Sequence, residues 1–173
     1  ITLPADAAEL IALSADGSYR DALGILQKVL TATSNTTVTA DEVALIVEAP
    51  KTAHINRTLS ALSKGNTEEV LATYAEALES GVKVLLFVEL LLEKMRAVLL
   101  LRLAPRMATK IESMHSPDDF ALLETLAKEN PSTINAKALD ALLEAAIRAH
   151  RSSLPEIAIE SGLIAILEQH PKA

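Results

Sequence analysis

No cysteine occurs among the 173 residues. That excludes a disulfide framework and any thiolate-held metal, and it fits a reducing, cytoplasmic setting. Tryptophan is missing as well; Tyr19, Tyr74, Phe87 and Phe120 are the whole aromatic content. Because half of the chain is apolar, the interior must be built from alanine, leucine, valine and isoleucine, a mixture that favours helices packed closely on helices. The five glycines are isolated, so neither a GxxxxGKS/T loop nor a GxGxxG turn is present to cradle phosphates. Sixteen basic residues stand against 23 acidic ones, a net charge of -7. This gives no support to a nucleic-acid surface spread over the whole chain.

Long uncharged apolar runs are also absent. The segment Val82–Ala104, VKVLLFVELLLEKMRAVLLLRLA, is interrupted by Lys83, Glu89, Glu93, Lys94, Arg96 and Arg102, and no run approaches the ~18 apolar residues of a membrane span. A helix buried on most sides is the better reading, and no membrane partner is expected. The chain opens on Ile1 with no charged leader and cleavage site, so no signal peptide is expected, and the sequence reads as a piece of a longer protein.

Helix signals follow one another along the chain. Pro4 reads as the first residue of a helix that stops near Gly17, and Ser18 caps a second helix from Tyr19 that carries Leu23, Leu26, Val29 and Leu30. Thr39 and Glu42 form a capping box opening a short helix. Pro50 breaks the chain, and a domain boundary is placed there, giving units 1–49 and 50–173. Helices with Ile55, Leu59 and Leu62, and with Val70, Leu71, Tyr74 and Leu78, stop at Gly65 and Gly81. The long helix ends at Pro105, and Arg106–His115 reads as part helix, part loop. Ser116-Pro117 starts another helix through Phe120, Leu123 and Leu126. Asn135 caps the next, with Leu139, Leu142, Leu143 and Ile147 expected to face inward. Leu154-Pro155 opens the last, in which Gly162 is expected to mark a close helix approach. No sustained alternating run occurs, so the fold class is all-α.

Little in this pattern is catalytic. His54, His115, His150 and His170 are scattered, with no HExxH spacing, and read as ordinary helix residues rather than metal ligands. No GxSxG elbow is present. Glu89 and Glu93 lie one turn apart with Arg96 beyond; an intrahelical salt-bridge stripe is expected in preference to a catalytic carboxylate pair. The residues alone make no enzyme. One placement does carry chemistry: in GSYRDAL, Arg20 falls in the first turn of a helix whose start is set by Ser18 and Asp21. The helix N-terminus already carries partial positive charge, so a cation there is unfavourable by a few tenths to ~1 kcal/mol. Either an anion belongs beside it, because a guanidinium next to free N–H groups is a phosphate-shaped site, or Arg20 is an exposed side chain paired with Asp16 or Asp21.

The run LIALSADGSYRDALGILQKVL resembles the end of the ATPase lid of the gamma/tau subunit of bacterial DNA polymerase III, the replicative clamp loader. The pattern is matched at Ile11, Ala12, Ala15, Gly17, Ser18, Arg20, Asp21, Ala22 and Leu23, with Gly24 where a serine is common. VTADEVALIV resembles the segment that closes the lid. LSALSKGNTEEVLATYAEALESGVKVLLFVELLLEKMRAVLLLRLA and SLPEIAIESGLIAIL resemble the opening and the last helix of the collar domain; Arg106–Asn135 matches nothing in the pattern.

The resemblance implies the closing part of an AAA+ lid over 1–49, then a helical-bundle collar for oligomerisation over 50–173. It implies that Arg20 is the sensor-2 arginine reaching ATP phosphates in the intact parent, with Ser18 and Asp21 supporting the helix start. ATP and Mg would be held by a P-loop upstream of Ile1, and this chain alone is expected to bind neither. Implied partners are the delta and delta-prime subunits and further gamma/tau copies through the collar, and the sliding clamp and primed DNA through the upstream domain. The parent would be an ATPase subunit of the polymerase holoenzyme. The other reading is an unrelated helical adaptor or scaffold.

Overall fold

The computed structural model describes residues 1–15, 17–33, 35–47, 52–129 and 132–169. Among them run ten α-helices: α1 Ala5–Ser14, α2 Tyr19–Ala32, α3 Ala40–Val47, α4 Thr52–Ser63, α5 Thr67–Glu79, α6 Val84–Leu103, α7 Ala108–Glu112, α8 Pro117–Lys128, α9 Ala136–Arg151 and α10 Pro155–Glu168. Extended pairing among the described residues is confined to a parallel bridge between Thr2 and Thr37, which ties the start of the chain to the loop before α3. The expected boundary at Pro50 lies outside the described residues. No helix among those described is long and apolar enough to cross a membrane.

The helix starts are set by local chemistry. Ser18, Asn66, Ser116 and Asn135 each accept a hydrogen bond from the N–H three residues on, filling an orphan donor of the first turn. At α3 the Thr39 hydroxyl accepts from the Glu42 N–H at 3.2 Å, while the Glu42 carboxylate accepts from the Thr39 N–H at 2.8 Å, so the capping box is complete. Gly17, Gly65 and Gly81 stop helices with φ of 75°, 62° and 82°, where a side chain would be strained. Pro4 differs from expectation by one position. Its ψ of 160° is extended, so it precedes α1 as the cap, and its carbonyl accepts from the Ala8 N–H. The ambiguous stretch after Pro105 is a single 3-10 turn, Pro105–Met107, followed directly by α7.

Two apolar clusters result. The smaller joins Ala7, Leu10 and Ile11 of α1, Val29 of α2, and Val43, Ala44 and Val47 of α3, and it is completed by Leu86 of α6. The larger fills the space among α4–α10, with Phe87, Leu91 and Met95 of α6 wholly buried at its centre. The Tyr74 and Phe87 rings meet at 5.4 Å, tilted, and the Tyr74 hydroxyl donates to the Glu156 carbonyl at 3.0 Å. That contact pins α5 to the start of α10.

Two expectations fail here. Leu143 and Ile147 are 47% and 49% exposed, because α9 turns its small-residue face inward: Ala138, Leu142, Ala145, Ala146 and Ala149. A Cβ built on Gly162 of α10 would stand 2.4 Å from the Ala145 Cβ, so the close approach expected at that glycine is present, and it dictates which face of α9 is buried. The acidic stripe on α6 also does not run along its own helix. Glu89 lies 3.7 Å from His150 of α9, and Glu93 lines a cleft together with Glu9 of α1, while Arg96 is exposed. Both acids sit where α6 is covered by neighbours, and Glu89 reaches across to one of them instead.

Candidate functional site

The start of α2 is built as the sequence indicates. Ala15 is buried at the end of α1, Gly17 turns the chain, and the Ser18 hydroxyl accepts from the Asp21 N–H at 3.3 Å. Asp21 does not reciprocate: the Ser18 N–H donates to the Ala15 carbonyl at 2.8 Å instead, closing the turn from α1. Arg20 is exposed, and among the described residues it has no ion-pair partner, Asp21 included. Asp16 lies outside the described residues. Tyr19 beside it is 84% exposed and Leu23 one turn on is 55% exposed. Val29 is the buried residue of α2, with Ala22, Ile25 and Leu26 packed partly against the same core, so one face of the helix is held and the other, with Tyr19, Arg20 and Leu23, is open to solvent.

A second group of exposed apolar residues lies on the last two helices. Leu143 and Ile147 of α9 and Leu154 and Ile157 at the start of α10 are each about half exposed or more. Single exposed leucines are ordinary; four on one helical hairpin make it a candidate for a contact with another chain.

Between the two cores lies a feature that the sequence did not signal. A cleft of about 420 Å³ is lined by α1, α4, α6, the start of α8 and the residues leading into α3. At its floor Lys94 Nζ stands 2.8 Å from Asp119 Oδ2 and donates to Asn56 Oδ1 at 2.7 Å, and Asn56 Nδ2 donates to Asp119 Oδ1 at 2.7 Å. Lys94 and Asp119 are both buried. Burial pulls the Lys94 ammonium below its ordinary range, with Asp119 opposing that shift. His115 at the rim is likewise lowered by burial and by Lys94. Glu9 and Glu93 line the same cleft, and burial, with the charge of Glu93, pushes the Glu9 carboxyl up to about 7. In the sequence Asp119 reads as a helix-start acid and Lys94 as a surface charge on an apolar helix. Their separation in the chain hides the pairing, which appears only in the folded molecule, where the half-buried Asn56 bridges them.

Among the described residues no cluster of histidines and acids could hold a metal ion. The molecule is an all-α packing module: a three-helix unit with an open, arginine-bearing helix start, seated on a larger bundle with an apolar patch. A family model described as "DNA polymerase III subunits gamma and tau domain III" matches residues 38–172, and the chain belongs to that family. The DNA polymerase III subunit tau of Bacillus subtilis is 25% identical over 164 residues, covering 92% of this chain and 28% of that relative's length. The chain therefore spans less than a third of the relative it matches. Membership in this family replaces the reading as an unrelated adaptor. Arg20 precedes the stretch matched by the family model, whereas α3, assigned above to the first unit, lies within it.

Proposed function

We propose that this chain is the lid-to-collar part of a clamp-loader ATPase subunit, acting in the cytoplasm as part of DNA polymerase III. The observation that carries the reading is the family match over 38–172. In this reading α1–α3 close an ATPase lid and α4–α10 form the collar, whose α9–α10 patch of Leu143, Ile147, Leu154 and Ile157 contacts neighbouring subunits: delta, delta-prime or further gamma/tau copies. Head-to-tail contacts between such patches and a different surface of the next copy close a ring rather than a dimer. Arg20 reaches the phosphates of ATP-Mg held by an upstream P-loop. Binding energy for the terminal phosphate then biases the position of the lid, and with it the grip of the assembly on the sliding clamp and primed DNA. The exposed guanidinium at a capped helix start, with no ion-pair partner among the described residues, supports this role, because an anion beside it would offset its local electrostatic cost.

The test is Arg20→Ala in the full-length parent subunit within the reconstituted loader. Helix content and thermal unfolding should be unchanged, since the side chain is exposed. ATP-dependent clamp loading should fall at least tenfold, as expected for the loss of one or two charge-assisted hydrogen bonds of ~1.5–3 kcal/mol each. Loading at the wild-type rate would refute the assignment of Arg20.

A further inference from the structure

We propose that the exposed face of α9 is a two-fold self-association surface, on which two copies of this chain pair antiparallel through Leu143 and Ile147. The pairing goes beyond the head-to-tail contact suggested above and does not rest on it, because it follows from the order of residues along one helix.

α9 buries Ala138, Leu142, Ala145, Ala146 and Ala149 where it packs on α6 and α10. Its other side carries Asp140, Leu143, Glu144, Ile147, Arg148 and Arg151, all of them exposed. At about 100° per residue these six fall within an arc of about 140°, with the two apolar side chains along one edge and the charges along the rest. The charges are also sorted along the helix, since Asp140 and Glu144 both precede Arg148 and Arg151. Among the described residues Asp140 and Arg151 have no ion-pair partner, and Glu144 meets Arg148 only at 3.9 Å, with both side chains largely in solvent. The face is thus apolar along one edge and has charges that its own chain leaves largely unused.

That order selects one arrangement. In a parallel, in-register pair each charge would lie beside its own copy, acid on acid and arginine on arginine. Turned antiparallel about an axis passing between Ala145 and Ala146, the two helices set Leu143 of each copy against Ile147 of the other. The same axis brings Glu144 of each copy to Arg148 of the other, and Asp140 to Arg151. Lys137 comes level with the uncharged Leu154 of the other copy and meets no like charge. Every contact occurs twice, as a closed two-fold interface requires. One helix from each copy is a small interface beside the ~1,600 Å² of a standard one, so the pair should dissociate in the micromolar range. Any neighbour that takes this face in an assembly must first displace the second copy.

The test is sedimentation equilibrium of the 173-residue chain from about 1 to about 200 µM, a range that spans a micromolar dissociation constant. A monomer–dimer equilibrium with no larger species is expected. Glu144→Arg and Arg148→Glu should each raise the dissociation constant at least tenfold, since each sets like charges together at two places. Mixed in equal amounts, the two variants should pair again, because every arginine of one then faces an acid of the other across the axis. Recovery on mixing cannot come from a change in folding, and it is peculiar to the antiparallel two-fold arrangement. A chain that stays monomeric over the whole range or grows past the dimer, or variants that remain apart when mixed, would overturn the pairing without bearing on the assignment of Arg20.

Discussion

Gly162 shows how much one missing methyl group can decide. In an isolated helix Gly162→Ala would gain about 1 kcal/mol of helix propensity. Here the new Cβ would meet that of Ala145 at 2.4 Å, well inside contact distance, with neither atom at the end of a flexible side chain. Overpacking costs typically ~1–3 kcal/mol, so the clash should exceed the propensity gain. The expected outcome is a net destabilisation of about 1 kcal/mol in urea unfolding, whereas Gly24→Ala, where a Cβ meets nothing within 4 Å, should stabilise. The role of Gly162 was legible in the sequence as a glycine that interrupts a good helix. Its consequence for α9 was not. Larger side chains were assigned inward by size, yet the alanine face is what permits the helices to approach, so Leu143 and Ile147 are left outside.

At the scale of elements, α8 repays the closest reading, because it lies in the stretch where no motif was recognisable. Arg102, in the last turn of α6, donates to the carbonyls of Leu126 and Ala127 at the end of α8, each at 3.1 Å, and to that of Ile134 at 2.7 Å. The first two lie in the last turn of α8, where helix carbonyls run short of donors, the third just ahead of α9, and one guanidinium joins all three. Arg102→Met keeps the aliphatic stem but removes all three donated bonds, leaving Leu126 only the one from the Glu129 N–H. It should lower stability by about 2–3 kcal/mol, seen as a lower Tm with a cooperative transition retained, and amide exchange in Leu123–Lys128 should accelerate. Helix starts, glycine stops and the central place of α6 were all readable, since each depends on neighbours in the chain. Arg102 and the Lys94–Asp119–Asn56 cluster were not, since their partners are between 24 and 63 residues away and no local pattern records that distance. Beside α4, α9 and α10, α8 is a principal neighbour of α6, and the Tyr74 ring of α5 meets Phe87.

For the whole molecule, the two clusters are unequal in what they need. The larger is composed entirely of residues from 55 onward, whereas the smaller borrows Leu86 from α6. A chain of residues 52–169 should therefore fold alone, with a single thermal transition by circular dichroism and a Tm a few degrees below that of the full chain, because Leu86 and Leu90 lose their cover. Residues 1–47 alone should show no cooperative transition, because three short helices bury too little without α6. A truncated bundle that fails to fold would mean that the first three helices are part of one indivisible core.

The sharing of α6 also limits how the molecule can move. Leu86 points into one core and its chain neighbours Phe87 and Val88 into the other, so adjacent residues of one helical turn are gripped from two sides. Spinning α6 about its axis by even a single residue's increment, about 100°, would drag all three out of register at once. Neither body can therefore swivel on that helix as on a bearing. Any displacement of the first three helices must therefore leave α6 fixed in the larger bundle and uncover Leu86, the residue that it lends to the smaller core.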